Sequence, residues 1–153
     1  MPRAPRPQDF QLGFGIVQLC RTHRAAAGAL LATLGLHPGQ EVILMQLWHE
    51  DGQSQKKLAQ RMGVQPPTVT KMLQRLEASG IVERRESTTD GRSMNAFLTQ
   101  KGRDLEPQVQ ATWAELERRT SAQLSPTELE MFGVTLEKIL ANLRDTATDE
   151  DEC

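Results

Sequence analysis

Residues 58–102 have the sequence LAQRMGVQPPTVTKMLQRLEASGIVERRESTTDGRSMNAFLTQKG, and this stretch decides the fold. It begins inside a short helical pattern that Ser54 can cap and that Gly63 can end. A second helical pattern opens with Gln65-Pro66-Pro67, where proline is tolerated because the first helical N–H groups have no partner. This pattern runs to Ser79-Gly80. The sequence therefore predicts two short helices joined by a tight turn.

Two short segments follow, at residues 81–85 and 94–98, and we predict that both form β-strands. The segment between them, from Glu86 to Ser93, is rich in turn-forming residues, which predicts a hairpin. A helix, a tight turn, a helix and a hairpin form the winged helix-turn-helix order. We therefore expect a mainly α fold with a small β-hairpin wing.

The charge of the chain is concentrated in this region, although the whole sequence carries a net charge of only −2. Residues 56–103 hold ten Lys and Arg against four Asp and Glu, a net charge of +6, whereas residues 1–55 are neutral and residues 104–153 carry −8. A basic segment between neutral and acidic flanks is typical of a protein that presents one surface to phosphates.

The second helix of the pair presents short hydroxyl, amide and cationic side chains, which suit contacts to base edges in a DNA groove. The candidate base-reading residues are Thr68, Thr70, Lys71 and Gln74, with Pro66 at the start of the helix. The candidate phosphate contacts are Lys56, Lys57, Arg61, Arg75, Arg84, Arg85 and Arg92. An ordinary solvated charged face is the alternative, and we favour DNA because the charge falls on this succession of elements.

The rest of the chain predicts helices around this core. Helical spacing over residues 9–35 gives one long amphipathic helix, and Pro38 can occupy the first turn of the next. Thr99 is placed as the N-cap of a long helix, and Ser125 to Glu128 form a capping box for the last one. We expect one domain over 1–153, with a winged helix-turn-helix core at 38–102 and dimerisation helices at 9–35 and 103–145. Aromatic residues make up only 4% of the chain, so part of the core should come from a partner chain.

The segment Leu58 to Gly102 closely resembles the DNA-binding core of the MarR family of transcriptional regulators. The matching positions are Leu58-Ala59, Gly63-Val64, Thr68-Val69-Thr70, Leu76-Glu77, Gly80-Ile81-Val82, Arg84, Asp90-Gly91-Arg92 and Leu98-Thr99-Gln100-Lys101-Gly102. The resemblance implies a homodimer, usually a repressor, that binds a pseudo-palindromic operator on double-stranded DNA with half-sites about 34–36 Å apart. It also implies that Arg92 enters the minor groove with support from Asp90. A simple charged turn at Asp90-Gly91 is the alternative.

The resemblance further implies release from DNA by a small, often aromatic or anionic effector, or by oxidation of a cysteine. The candidate effector residues are Arg21, His23, Arg24, Met45, Trp48 and His49, although we favour a core role for Met45 and Trp48. Cys20 is the candidate redox residue, but the chain has no Tyr to hold a thiolate, so we favour a buried, inert thiol.

Other classes of function find little support in the sequence. A zinc site built from His37, Glu41, His49 and Glu50 has no compact ligand spacing. No enzyme motif is present, so we expect no catalytic residue and no cofactor. No apolar run reaches the ~18 residues of a membrane span, which favours a cytoplasmic protein. A helical module that binds protein instead of DNA is the remaining alternative, and the carboxylate-free face of the second helix argues against it.

Overall fold

The computed structural model describes residues 10–86 and 94–148, with side chains as far as Arg144. Seven helices and three strands lie in these ranges. In chain order they are α1 (Gln11–Ala32), α2 (Gln40–His49), β1 (Gln53–Ser54), α3 (Gln55–Met62), α4 (Pro66–Ala78), β2 (Val82–Glu86), β3 (Met94–Leu98), α5 (Gln100–Asp104), α6 (Glu106–Ser121) and α7 (Pro126–Thr148). The predicted mainly α fold with a small antiparallel sheet is confirmed.

The helix-turn-helix pair forms where local sequence signals place it. The Ser54 hydroxyl accepts a hydrogen bond from Lys57 N at 3.2 Å and caps α3. Gly63 ends α3 with a φ of 62°, in the left-handed region that glycine adopts without steric cost. Pro66 is the first residue of α4, after an extended Gln65. The two predicted caps and the predicted proline start are therefore confirmed.

The sheet contains one more strand than the sequence predicts. Its order is β1-β3-β2, and both pairings are antiparallel. The predicted strands lie at Val82–Glu86 and Met94–Leu98, with Val82 opposite Leu98 and Arg84 opposite Ala96. The additional strand, β1, pairs through Gln53 with Ala96. The tip of the predicted hairpin, residues 87–93, lies outside the described residues.

The helix that starts at Thr99 is interrupted, whereas the sequence predicts a continuous one. Thr99 caps α5 as expected, since its hydroxyl accepts from Gly102 N at 3.2 Å. The helix then breaks at Leu105 before α6 begins. Pro107 accounts for the break, because proline has no N–H to donate and its ring clashes with the carbonyl of the fourth residue before it. The predicted start of α2 is also wrong by two residues: Pro38 lies in the preceding turn and α2 begins at Gln40.

A single apolar core holds the elements of residues 1–116 together. Its most completely buried side chains are Leu31, Leu36, Ile43, Leu44, Leu47, Leu58, Val69, Leu73, Leu76, Val82 and Val109. Only the C-terminal half of α1 takes part, through Ala27 and Leu31, while Phe10, Phe14 and Val17 in its N-terminal half are exposed.

Residues 117–153 form a second compact unit that contains α7. The predicted capping box is confirmed there, because Glu128 Oε2 accepts from Ser125 N at 2.8 Å and Ser125 Oγ accepts from Glu128 N at 3.3 Å. Across the described ranges of both units, no helix is long and apolar enough to cross a membrane.

Candidate nucleic-acid interface

Helix α4 has one buried face and one exposed polar face. Val69, Leu73 and Leu76 are fully buried in the core. The exposed positions include four of the predicted DNA contacts, which are Thr68, Lys71, Gln74 and Arg75. They recur at intervals of three and four residues, so they share one side of the helix. Pro66, at the start of α4, is also exposed. This face carries two cations, an amide and a hydroxyl, the groups that contact phosphates and base edges.

Thr70 differs from the other predicted base readers because its side chain already has partners. The residue is half-buried, and its hydroxyl donates to Gln55 Oε1 at 3.0 Å or to the Pro66 carbonyl at 3.1 Å. These contacts join the start of α3 to the first turn of α4. The structure therefore gives Thr70 a role in fixing the angle between the two helices.

The cations among the predicted DNA contacts, which include the predicted base reader Lys71, separate into free and paired ones. Lys56, Lys71 and Arg75 are exposed, and none of them forms an ion pair with another described residue. An exposed cation without a carboxylate partner can meet a phosphate without breaking an existing pair.

Lys57 and Arg61, by contrast, share one carboxylate. Glu50, directly after α2, accepts from Lys57 Nζ at 2.5 Å and from Arg61 Nη2 at 2.7 Å. Arg61 also donates from Nη1 to Gln53 Oε1 at 2.9 Å. The hydrogen bond from Lys57, followed by that from Arg61, lowers the pKa of Glu50 below its ordinary value.

Arg84 and Arg85 on β2 are paired as well. The Nε and Nη2 atoms of Arg84 donate to the same oxygen of Glu77, at 2.9 and 2.6 Å, and this contact lowers the pKa of Glu77. It ties the last turn of α4 to the wing. Arg85 pairs with Glu83, and its guanidinium lies 5.0 Å from the centre of the Phe97 ring. The predicted wing residues Asp90 and Arg92 lie outside the described residues.

Residues beyond the wing fix the C-terminal end of α4. The Thr99 hydroxyl donates to the carbonyls of Gly80 or Ile81 at 2.7 and 3.0 Å, and Lys101 Nζ donates to the Ser79 carbonyl at 2.8 Å. Gly102 packs so closely that an added Cβ would lie 2.3 Å from the Ile81 carbonyl oxygen. Trp48 Nε1 in turn donates to the Gly102 carbonyl at 3.0 Å. Helix α5 thus connects α2 to the end of α4.

The sequence did not predict the acceptors that bind these paired cations, which are Glu50, Gln53 and Glu77. A carboxylate seven residues before a cation is a weak signal in the sequence. For Glu77 and Arg84 the chain reverses between the two residues, and for Glu50 and Lys57 it passes through β1, which was not predicted.

The predicted effector residues do not line one common cleft. A cavity of about 350 Å³ is lined by Met45, Trp48 and His49 together with Glu106 and Gln110. Arg21 lines another cavity, of about 460 Å³, along α1. His23 lies beside the Trp113 ring, with the ring centres 6.4 Å apart. Arg24 lies near enough to Glu41 to lower its pKa, although burial dominates and the net pKa is raised.

The remaining candidate sites differ from the sequence expectations in one respect. Cys20 is exposed on α1 of the single chain, whereas the sequence analysis favours a buried thiol. A reactive role for Cys20 stays a prediction. In the part of the chain that the structure describes, no three His, Cys, Asp or Glu side chains come together as metal ligands.

The fold and the exposed face of α4 define a winged helix-turn-helix protein, and comparison with known proteins identifies its family. The MarR family profile matches residues 36–94. The HTH-type transcriptional regulator TtmR of Methylorubrum extorquens is 34% identical over 97% of this chain and 70% of its own length. An HTH-type transcriptional repressor of Mycobacterium tuberculosis is 32% identical over 86% of this chain and 94% of its own. The chain belongs to the MarR family of transcriptional regulators and is not an enzyme.

Solved structures support the same assignment. The matched chain in the crystal structure of the S. aureus MepR–DNA complex is 25% identical in sequence to this chain, and the two structures compare with a TM-score of 0.79. That match covers 85% of this chain and 96% of the other.

Proposed function

We propose that this protein is a homodimeric, cytoplasmic transcriptional repressor that binds a pseudo-palindromic operator and is released by a small molecule. The observation that carries the proposal is the exposed face of α4, with Thr68, Lys71, Gln74 and Arg75 on one side and a fully buried apolar stripe on the other. The M. tuberculosis relative is named a repressor, and MepR crystallised with DNA.

The residues of the interface divide between two roles. Thr68 and Gln74 have short polar groups without a charge, so they suit base edges in the major groove. The free cations Lys56, Lys71 and Arg75 suit the phosphates that line it. Asp90 and Arg92 are proposed to extend the contact into the adjacent minor groove, as the family resemblance implies.

Two unpartnered apolar faces support the proposed dimer. On α1, Phe10, Phe14 and Val17 are 62%, 44% and 54% exposed. On α7, Met131 and Phe132 are 64% and 49% exposed. Single soluble chains rarely leave so many large apolar side chains in water, because each one that is buried contributes about 1.5–3 kcal/mol. A second copy of this chain is the proposed occupant of both faces.

Selection from a random duplex pool tests DNA binding, with affinities then measured by fluorescence anisotropy. We expect an inverted repeat to be enriched. Gln74→Ala should cost about 1–3 kcal/mol and relax the preference at one position of each half-site. Lys71→Ala should weaken all sequences alike and reduce the salt slope by about one phosphate contact. Lys138→Ala, an exposed cation on α7, is the matched control.

Binding that shows neither enrichment nor salt dependence would refute the proposal. The chain would then fit a module that docks on protein, since protein docking releases few counterions.

The cavity beside Trp48 supports the proposal of a small-molecule effector, and its lining residues favour one sign of effector charge. Of its lining residues, Glu106 is the one that carries a fixed charge, and it is negative. An aromatic or cationic compound fits this lining better than a carboxylate, which the Arg21 cavity would suit. Benzamidine and benzoate have the same ring and opposite charges, so they serve as matched probes.

In a Trp113→Phe background, Trp48 fluorescence reports binding at the cavity. We expect quenching by benzamidine that Glu106→Gln abolishes. Quenching by benzoate alone would contradict this charge argument.

A further inference from the structure

Glu50 binds two cations at once. It accepts from Lys57 Nζ at 2.5 Å and from Arg61 Nη2 at 2.7 Å, and both cations come from α3. The side chains of Lys57 and Arg61 are 41% and 32% exposed. Both cations are therefore within reach of a polyanion, yet a fixed negative charge already neutralises part of their charge.

The support beneath Glu50 is unusually rigid for a surface ion pair. Gln53 is only 2% exposed, and its Nε2 donates to the carbonyls of Gln46 and Glu50 at 2.6 Å each. Its Oε1 accepts from Arg61 Nη1 at 2.9 Å. Arg61 is thus bound at two acceptors, one of them buried. The loss of side-chain entropy usually offsets the stability that a surface ion pair contributes. The contact with Gln53 already orders the Arg61 side chain, so its pairing with Glu50 adds little further entropy loss.

We propose that Glu50 limits sequence-independent DNA binding by holding Lys57 and Arg61 away from phosphates. The inference rests on the proposed DNA-binding function. Every phosphate that a cation neutralises contributes to affinity for any sequence, through the release of counterions. Lys56, Lys71 and Arg75 supply this contribution in the wild type, while the base-facing groups of α4 supply discrimination. Glu50 keeps the first contribution small relative to the second.

The test compares Glu50→Gln with wild-type protein on the selected operator and on a random duplex, across 50–200 mM salt. Glu50→Gln frees both cations, so the slope of log affinity against log salt should steepen by about 0.9 for each phosphate gained. Each new contact adds about a 3.5-fold loss of affinity over this salt range. At low salt, the operator and the random duplex should both bind more tightly and by about the same factor, because the added contacts are independent of sequence. Glu130→Gln on α7 makes the same charge change and should alter neither quantity.

Lys57→Gln gives a second test that does not require the Glu50 variant to fold. With Glu50 present, Lys57→Gln should leave the salt slope unchanged, whereas Lys71→Gln should reduce it by about 0.9. In the Glu50→Gln background, Lys57→Gln should remove one of the gained contacts. Thermal unfolding of each variant reports whether it folds.

Three results would overturn the inference. They are an unchanged slope in folded Glu50→Gln, unchanged low-salt affinity of that variant for random DNA, and a slope reduced by Lys57→Gln alone. If the wild-type protein binds no DNA in a salt-dependent way, the proposed function itself fails, and that outcome is distinct from all three.

Discussion

Gly102→Ala should destabilise the protein more than alanine at any other helical glycine of the described residues. The new Cβ would lie 2.3 Å from the Ile81 carbonyl oxygen and 3.1 Å from Leu98 Cδ2, so α5 must move away from the end of α4. Overpacking of this kind costs about 2 kcal/mol. The shift also weakens the bonds from Thr99 N to the Ile81 carbonyl and from Thr99 Oγ1 to the Gly80 carbonyl, for about 2 kcal/mol more. Alanine has a better helix propensity than glycine, which offsets about 1 kcal/mol of this loss.

The net loss of about 3 kcal/mol corresponds to a fall in Tm of roughly 6–12 °C for a chain of this size. Differential scanning calorimetry at equal chain concentrations measures it, because the proposed dimer would make Tm depend on concentration. Gly133→Ala is the matched control: Gly133 lies within α7, its added Cβ meets nothing within 4 Å, and it should stabilise the protein by about 0.5–1 kcal/mol. A Gly102→Ala protein within 1 kcal/mol of wild type would show that the close approach of α5 to Ile81 is not required.

Three further substitutions test polar contacts of the core. Asp51→Asn replaces a carboxylate that accepts from Leu98 N at 2.9 Å and from Arg103 Nη2 at 3.0 Å. Urea unfolding should show that the free energy of unfolding falls by about 1–2 kcal/mol. Burial raises the pKa of Glu41, so its charged form lowers stability as the pH rises through that raised pKa. Glu41→Gln should therefore raise Tm at pH 7, and the gain in Tm should disappear toward pH 4.5. An equal gain in Tm at both pH values would contradict this expected pH dependence. Trp48→Phe leaves the Gly102 carbonyl without its donor and should cost about 1–3 kcal/mol, measured against Trp113→Phe.

The parts of the fold that could be predicted from the sequence are those fixed by neighbours in the chain. Ser54, Gly63 and the Ser125 to Glu128 capping box act within one helical turn, so residue type and spacing are sufficient. The strands of the wing were predicted because two strand-like segments flank one turn-rich segment within 18 residues. Pro107 carries the signal for the break at Leu105, and the stronger helical periodicity around it obscured that signal.

The contacts that could not be predicted join residues brought together by tertiary structure. Trp48 and Gly102 are 54 positions apart, and Asp51 and Arg103 are 52 apart. The short strand β1 exists because Gln53 finds a partner on β3, not because two residues have a strand pattern. Residue type alone indicated that Lys57 and Arg61 are cations, but only the fold shows that they share Glu50.

These tertiary contacts connect the proposed effector cavity beside α2 to the C-terminal end of α4. Trp48 lines that cavity and also donates to the Gly102 carbonyl. Gly102 packs against Ile81, and two residues just before it in the chain, Thr99 and Lys101, donate to the Gly80 and Ser79 carbonyls at the end of α4. A ligand that rotates the indole must break or bend the bond to Gly102, and a shift of α5 strains its contacts with the end of α4. The ligand needs to stabilise the displaced arrangement by only about 3 kcal/mol over the DNA-bound one to weaken operator binding more than a hundredfold.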